Sequence, residues 1–167
     1  LKKHGVQKFH RYLKQIGLTT LNRASSDYGL TLILGGAEAN LLEITSLYYM
    51  FAASVLTRSD KVGYTKVLKD EKRREIDLKL SPGTTYPTLE ALLDVVRPED
   101  ESAWKLFLNS SKIAWKTGTS FGFRDAWAVG TNSFYTVGVW KGNADGEANP
   151  ELTGVGTAAP LLFEIFR

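Results

Sequence analysis

Cysteine is absent from the 167-residue chain. That excludes a disulfide framework, a cysteine-based zinc site and a thiol nucleophile. Histidine is scarce: only His4 and His10 occur. They stand six apart (10 − 4) with no acidic cluster beside them, a poor spacing for a shared metal, and both are expected to be exposed. No uninterrupted apolar run reaches the ~18–20 residues a membrane helix needs; the densest stretch, Leu47 to Leu56, is about half that. Neither sign of charge dominates, with 21 Lys and Arg against 18 Asp and Glu, so the net charge of +3 argues weakly for nucleic acid as a partner. Repeats, low-complexity tracts and linkers are missing, so one domain is expected. The chain opens Leu1-Lys2-Lys3-His4, without an initiator Met or an apolar signal core. From that start we expect a fragment of a longer protein. What is present is a globular composition, 43% apolar and 23% charged, rather than that of a disordered chain.

The pattern of apolar residues predicts an α+β protein. Val6, Phe9, Leu13 and Ile16 form one helix face over residues 3–16, and Gly17 stands where a helix-ending glycine belongs. Residues 18–36 are turn-rich. Asn40-Leu41-Leu42-Glu43 reads as a capping box opening a helix to about Thr57, apolar on more than one side and so central. Residues 62–69 and 74–80 read as an exposed hairpin with Asp70 to Arg73 at its tip. Ser81-Pro82-Gly83 opens a helix through about Val96, with Leu89, Leu92 and Leu93 inward and Arg97-Pro98 as its stop. A short helix is expected around 100–108. Three closely spaced strands follow, at 113–117, 125–130 and 134–142, as antiparallel neighbours. A last helix runs from about Thr157 to Phe166. Helices first, then an antiparallel meander, then a helix is an α+β order.

Lys116-Thr117-Gly118-Thr119 ends the first of those late strands. A Lys-Thr-Gly triplet alone is a weak signal, but here it follows an apolar strand start and precedes a second strand holding Asp125-Ala126-Trp127. That is the setting of the K-T-G element in penicillin-binding proteins and serine β-lactamases. The stretch Asp27-Tyr28-Gly29-Leu30-Thr31-Leu32-Ile33-Leu34-Gly35-Gly36-Ala37-Glu38 resembles a "YGL-x-L-x-LGG-x-E" run of the class A, bifunctional penicillin-binding proteins. Leu80-Ser81-Pro82, Arg97-Pro98 and above all residues 115–130 (W-K-T-G-T-S-F-G-F-R-D-A-W-A-V-G) extend the resemblance over nearly the whole chain.

The resemblance implies a partial serine β-lactamase/DD-transpeptidase-like fold, an antiparallel sheet packed with helices. It implies acyl transfer through a Ser ester, with no cofactor and no metal. Lys116 would supply a fixed positive charge facing the nucleophile and attracting the donor's carboxylate. The hydroxyls of Thr117 and Thr119 would bind that carboxylate. Gly118 lets substrate backbone approach the strand. The Thr119 N–H would be an oxyanion-hole donor, and the peptide would lie along the strand as an added strand. Asp125 and Trp127 would support the strand from its neighbour. The implied parent is a peptidoglycan-cross-linking enzyme with a glycosyltransferase domain elsewhere. It would be anchored in the bacterial inner membrane through a segment N-terminal to these residues and work on its periplasmic, extracytoplasmic face. Its partners would be peptidoglycan stem peptides and β-lactams.

One departure matters. The family order is S-x-x-K, then S-x-N, then K-T-G, yet no S-x-N triplet precedes Lys116. Ser102-Ala103-Trp104-Lys105 is the one S-x-x-K match, 14 residues before Lys116 (116 − 102) in a charged stretch, where a surface Ser and Lys one helical turn apart is the ordinary reading. The nucleophile is therefore expected upstream of Leu1. The chain alone should be inactive, and a face normally covered by the missing part should promote self-association. The rival readings are a β-lactamase or penicillin-sensing receptor, against which the R-D-A-W and LGG-x-E runs argue, and a non-catalytic scaffold with the same fold. Gly154-Val155-Gly156-Thr157-Ala158-Ala159 matches a dinucleotide-binding pattern, but no parallel βαβ unit surrounds it, and a loop capping the last helix is the plainer reading.

Overall fold

The computed structural model describes residues 1–65, 75–98 and 112–167. Helix α1 (Val6–Gln15) is followed by a short α2 (Ser25–Tyr28), a 3-10 turn (Gly29–Ile33) and the long α3 (Leu41–Thr57). Strands β1 (Lys61–Gly63) and β2 (Glu75–Asp77) pair antiparallel. Helix α4 (Pro82–Leu93) leads to β3 (Ala114–Thr119), β4 (Asp125–Thr131) and β5 (Thr136–Gly142), an antiparallel sheet in the order β3-β4-β5. A single π-helical turn (Gly154–Ala158) then runs into α5 (Ala159–Phe166). The architecture is α+β, as the order of patterns implied. The predicted hairpin tip, the short helix at 100–108 and the Ser102–Lys105 pair lie outside the described residues.

Local chemistry explains the boundaries. Gly17, at φ +117°, closes α1: its N–H donates to the Lys14 carbonyl and that of Leu18 to the Leu13 carbonyl. At the start of α3 the Asn40 side chain accepts from Glu43 N–H (2.9 Å), and Glu43 Oε2 accepts from Asn40 N–H (3.3 Å). Helix α4 stops at Leu93, short of the expected Val96. The chain turns there so that the Val95 carbonyl can accept from the Trp115 indole (3.3 Å) and Arg97 can lie over the Phe163 ring (4.8 Å). Strand β5 starts two residues later than expected because Asn132 Oδ1 accepts from both Phe134 and Tyr135 N–H, holding them in the turn.

The two faces of the larger sheet are covered by different helices. Trp115, Ala126, Ala128 and Val139 meet Leu162 and Phe163 of α5, with Trp115 edge-on to Phe163. On the opposite face a Cβ on Gly138 would collide with Thr45 Oγ1 and lie 3.1 Å from Leu41 Cδ1, so α3 rests directly on β5. Helix α3 also buries Met50 with Val62, Ile76 and Leu78 of the hairpin region. A third cluster of Leu18, Leu21, Tyr28 and Leu32 receives Val6, Phe9 and Leu13 of α1. His10 is half-buried rather than exposed: its ring stacks on Tyr28 at 5.5 Å between centroids, a contact brought about by the turn-rich segment folding back on α1.

Candidate active site

Strand β3 is the outer strand of its sheet among the described residues. In an antiparallel ladder alternate residues turn their backbone groups toward the neighbour and the others away. Ser120 N–H donates to the Asp125 carbonyl (2.9 Å), in the same register that pairs Gly118 with Trp127 and Lys116 with Val129. Ser120, Gly118 and Lys116 thus bond toward β4, and Thr117 and Thr119 direct their N–H and C=O groups to the open edge. On the other side of β4, Asn132 N–H donates to the Tyr135 carbonyl, which keeps the same alternation between β4 and β5.

The side chains divide between the faces. Thr117 and Thr119 share the face of the π-turn: the Thr119 hydroxyl oxygen accepts from Gly154 N–H at 3.0 Å, which leaves its own O–H proton free to donate. Lys116 is exposed on the opposite face, and its Nζ reaches round to donate to the Thr117 carbonyl at 2.7 Å. That carbonyl is one of the edge groups, so the ammonium stands where an added strand would run. Gly118 faces Trp127 across the ladder, and a Cβ there would come 3.7 Å from Trp127 Cβ. Lys116, Thr117, Gly118 and Thr119 therefore bring a cation, two hydroxyls and two outward N–H groups to one edge within four consecutive residues.

Asp125 and Trp127 stand one strand away. The Asp125 carboxylate accepts from the Trp140 indole (2.9 Å), so its side chain braces β5, while its backbone closes the turn after β3. Trp127 pairs with Gly118 on one side and with Trp140 on the other.

Two residues of this region went unread in the sequence. Ser120 Oγ accepts from Arg124 N–H (3.2 Å) and Asp125 N–H (2.8 Å), fixing the β3–β4 turn in which Phe123 takes a left-handed φ of +55°. Gly154 brings the π-turn against β3: a Cβ there would meet the Gly118 carbonyl at 2.6 Å, Thr117 Cβ at 2.8 Å and the Trp127 carbonyl at 2.9 Å. The glycine pattern at 154–159 was visible, but its use for a close backbone approach depends on a contact far along the chain. Thr153 caps that turn, its Oγ1 accepting from Gly156 N–H.

The geometry defines a mixed helix-and-sheet protein with a K-T-G strand presented as an open sheet edge. No protein-family model matches the chain. Among curated proteins it is 34% identical over 165 residues to penicillin-binding protein 1C of Escherichia coli, covering 99% of this chain and 20% of that protein. It is 31% identical over 152 residues to penicillin-binding protein 4 of Bacillus subtilis, covering 85% and 23%, and 27% identical over 176 residues to penicillin-binding protein 1A of Aquifex aeolicus, covering 100% and 23%. The chain is a relative of the penicillin-binding proteins and spans about a fifth of the length of these relatives. The kinship with penicillin-binding proteins expected from residues 27–38 and 115–130 is met in these relatives. No helix among the described residues is long and apolar enough to cross a membrane.

Proposed function

We propose that these residues form the K-T-G wall of a serine DD-transpeptidase domain, within a bifunctional penicillin-binding protein that cross-links peptidoglycan outside the cytoplasm. The observation that carries this reading is the open edge of β3, with Lys116 Nζ on the Thr117 carbonyl and the Thr119 N–H unpaired within the ladder. A stem peptide adds to that edge as a strand. The Thr119 N–H stabilises the oxyanion formed when the serine attacks, and the Thr117 and Thr119 hydroxyls with the Lys116 charge hold the donor carboxylate. The serine itself and the S-x-N element come from sequence outside these 167 residues, and the domain is completed there.

The test compares polypeptides with and without that sequence. In the polypeptide that also carries S-x-x-K and S-x-N, benzylpenicillin is expected to add once per chain. Lys116→Ala should slow that acylation by roughly 10²–10³, the scale of losing one preorganised electrostatic contact, with little change in melting temperature. The 167-residue chain alone should gain no mass. Acylation indifferent to Lys116→Ala sinks the assignment. A stable adduct on Ser102 of the short chain would mean that the site is built within these residues. A second reading, a scaffold that keeps the fold without catalysis, is favoured by the missing S-x-N triplet, and it predicts no adduct on either polypeptide.

A further inference from the structure

The charge of this chain is unevenly placed. Residues 1–26 hold six of the 21 Lys and Arg (Lys2, Lys3, Lys8, Arg11, Lys14 and Arg23) and no Asp or Glu. The remaining residues hold 15 cations and all 18 acids, so a +6 segment precedes a −3 remainder. Arg23 is spent on Glu38 at 2.6 Å. Lys2, Lys3, Lys8, Arg11 and Lys14 are all exposed, and none is in an ion pair with a described acidic residue.

Helix α1 sorts these residues to one side. Its apolar stripe, Val6, Phe9 and Leu13, packs into the Leu18–Leu21–Tyr28 cluster. The opposite arc carries Gln7, Lys8, Arg11, Lys14 and Gln15, all exposed and linked by i+3 and i+4 spacing. Between that arc and α2 runs a groove of about 400 Å³ lined by Gln7, His10, Arg11, Lys14, Gln15 and Ser25. The His10 Nε2 on its wall is buried and has no hydrogen-bond partner among the described residues. The groove is walled mostly by the aliphatic and ring carbons of its residues, which carry an Arg fork, an ammonium, two amides and a hydroxyl and no carboxylate.

We propose that this basic face of α1 is a second docking surface for the carboxylate-bearing wall polymer, separate from the K-T-G edge. The proposal rests on the reading of β3 as the edge that takes a wall peptide ending in a carboxylate. A polymer that presents such a group on each stem offers carboxylates to both surfaces, and where one strand spans them tethering through one raises the local concentration at the other. A bilayer fits less well, because the apolar stripe of α1 faces the core and leaves nothing to insert among lipid chains. Amide and hydroxyl donors set among the cations also suit discrete carboxylates better than a diffuse surface charge.

The experiment measures binding of the 167-residue chain, without penicillin, to soluble uncross-linked peptidoglycan strands and to the same strands with their carboxylates amidated. Binding to the native strands should weaken by roughly tenfold or more as salt rises from low to above physiological strength, and amidation should abolish it. The triple variant Lys8→Gln/Arg11→Gln/Lys14→Gln should lose roughly tenfold to a hundredfold. Lys61→Gln/Lys112→Gln/Lys141→Gln removes the same charge elsewhere and should stay within about twofold. Equal losses in the two triple variants, or undiminished binding to amidated strands, overturn the proposal. Tighter binding to phosphatidylglycerol vesicles than to strands at equal anion concentration overturns the choice of partner. In the longer polypeptide the α1 variant should keep its penicillin acylation. Failure of the β3 reading therefore appears in the acylation assay, and failure of this proposal appears in strand binding.

Discussion

Glu43 shows how much one side chain can fasten. It is buried at 4% exposure, and its carboxylate accepts from Thr19 N–H (2.7 Å), the Thr19 hydroxyl (2.6 Å), the Thr20 hydroxyl (2.6 Å) and the N-cap Asn40 N–H. Burial pushes its pKa up, but the Thr19 and Thr20 hydroxyls, with the backbone N–H groups of Thr19 and Asn40, hold it below the ordinary carboxylate value. A lowered folded-state pKa means that the unfolded chain binds the proton more readily. The carboxylate's contribution to stability is then complete above the unfolded value and is lost as pH falls through the folded one. Glu43→Ala removes half the capping box and orphans the donors of the 19–20 turn, so we expect a loss of about 2–4 kcal/mol at neutral pH. Urea unfolding at several pH values checks both statements. Glu43→Gln should also flatten the acid limb of the stability profile, and an unchanged acid limb would show that other carboxylates carry it. Half of this arrangement was legible beforehand. Asn40 followed three residues later by Glu is a local signal, whereas the bonds to Thr19 and Thr20 cross 24 and 23 residues of chain and leave no periodic trace.

The same division holds for the elements. Periodicity and stop signals located α1, α3, the pairing of the hairpin and the three-strand meander, since each is dictated by neighbours within a few residues. The described hairpin strands are only three residues each, and Val62 and Ile76 are buried under α3 rather than exposed. The π-turn at Gly154–Ala158 and the early end of α4 answer to contacts with β3 and α5, so they were missed or misplaced. The K-T-G strand itself was read as a strand and its edge position as an implication of resemblance. Which of its backbone groups face outward follows only from the register. The meeting of α3 and β5 offers a test at this scale. Gly138 leaves no room above β5, and the nearest obstacle is a hydroxyl, Thr45 Oγ1, which bonds back to the Leu41 carbonyl at 2.7 Å. Gly138→Ala should cost about 1–3 kcal/mol by overpacking. Thr45→Ala alone should be nearly neutral, because the lost bond is a back-bond to its own helix. The double variant should recover part of the loss, since the hydroxyl is gone and only Leu41 Cδ1 at 3.1 Å and the Cβ of residue 45 at 3.2 Å then remain close. A double-mutant cycle by chemical denaturation measures that coupling, and strict additivity would show that the two residues do not meet in solution.

At the scale of the whole molecule, the two outer edges of the sheet among the described residues differ in character. At β3 the open groups of Thr117 and Thr119 are flanked by an ammonium and hydroxyls, a polar edge suited to a reversible guest. At β5 the alternation turns the backbone of Thr136, Gly138, Trp140 and Gly142 outward. Beside it lies a groove of about 420 Å³ lined by Leu41, Trp140, Leu161 and Ile165 with Glu164. Ile165 is 61% exposed, and Phe134 and Tyr135 at the end of the strand are 85% and 71% exposed. An apolar edge of this kind pairs with other strands unless charge or cover prevents it; Lys141 lies on the strand, Glu164 lines the groove, and the Asp125 carboxylate is bound to the Trp140 indole. We therefore expect the 167-residue chain to self-associate through the β5 edge and not through the K-T-G edge. Sedimentation velocity over a concentration series should show a rising weight-average coefficient for the native chain. Leu161→Lys/Ile165→Lys places two cations on exposed positions of α5 beside that edge and should return the chain toward a monomer, with its helical and strand content unchanged by circular dichroism. Lys116→Ala should leave association as it was. If the α5 variant still associates while Lys116→Ala dissolves the assembly, the β3 edge is the sticky one. Its open groups would then be filled by a second copy of the chain, and any peptide bound there would have to displace that copy first.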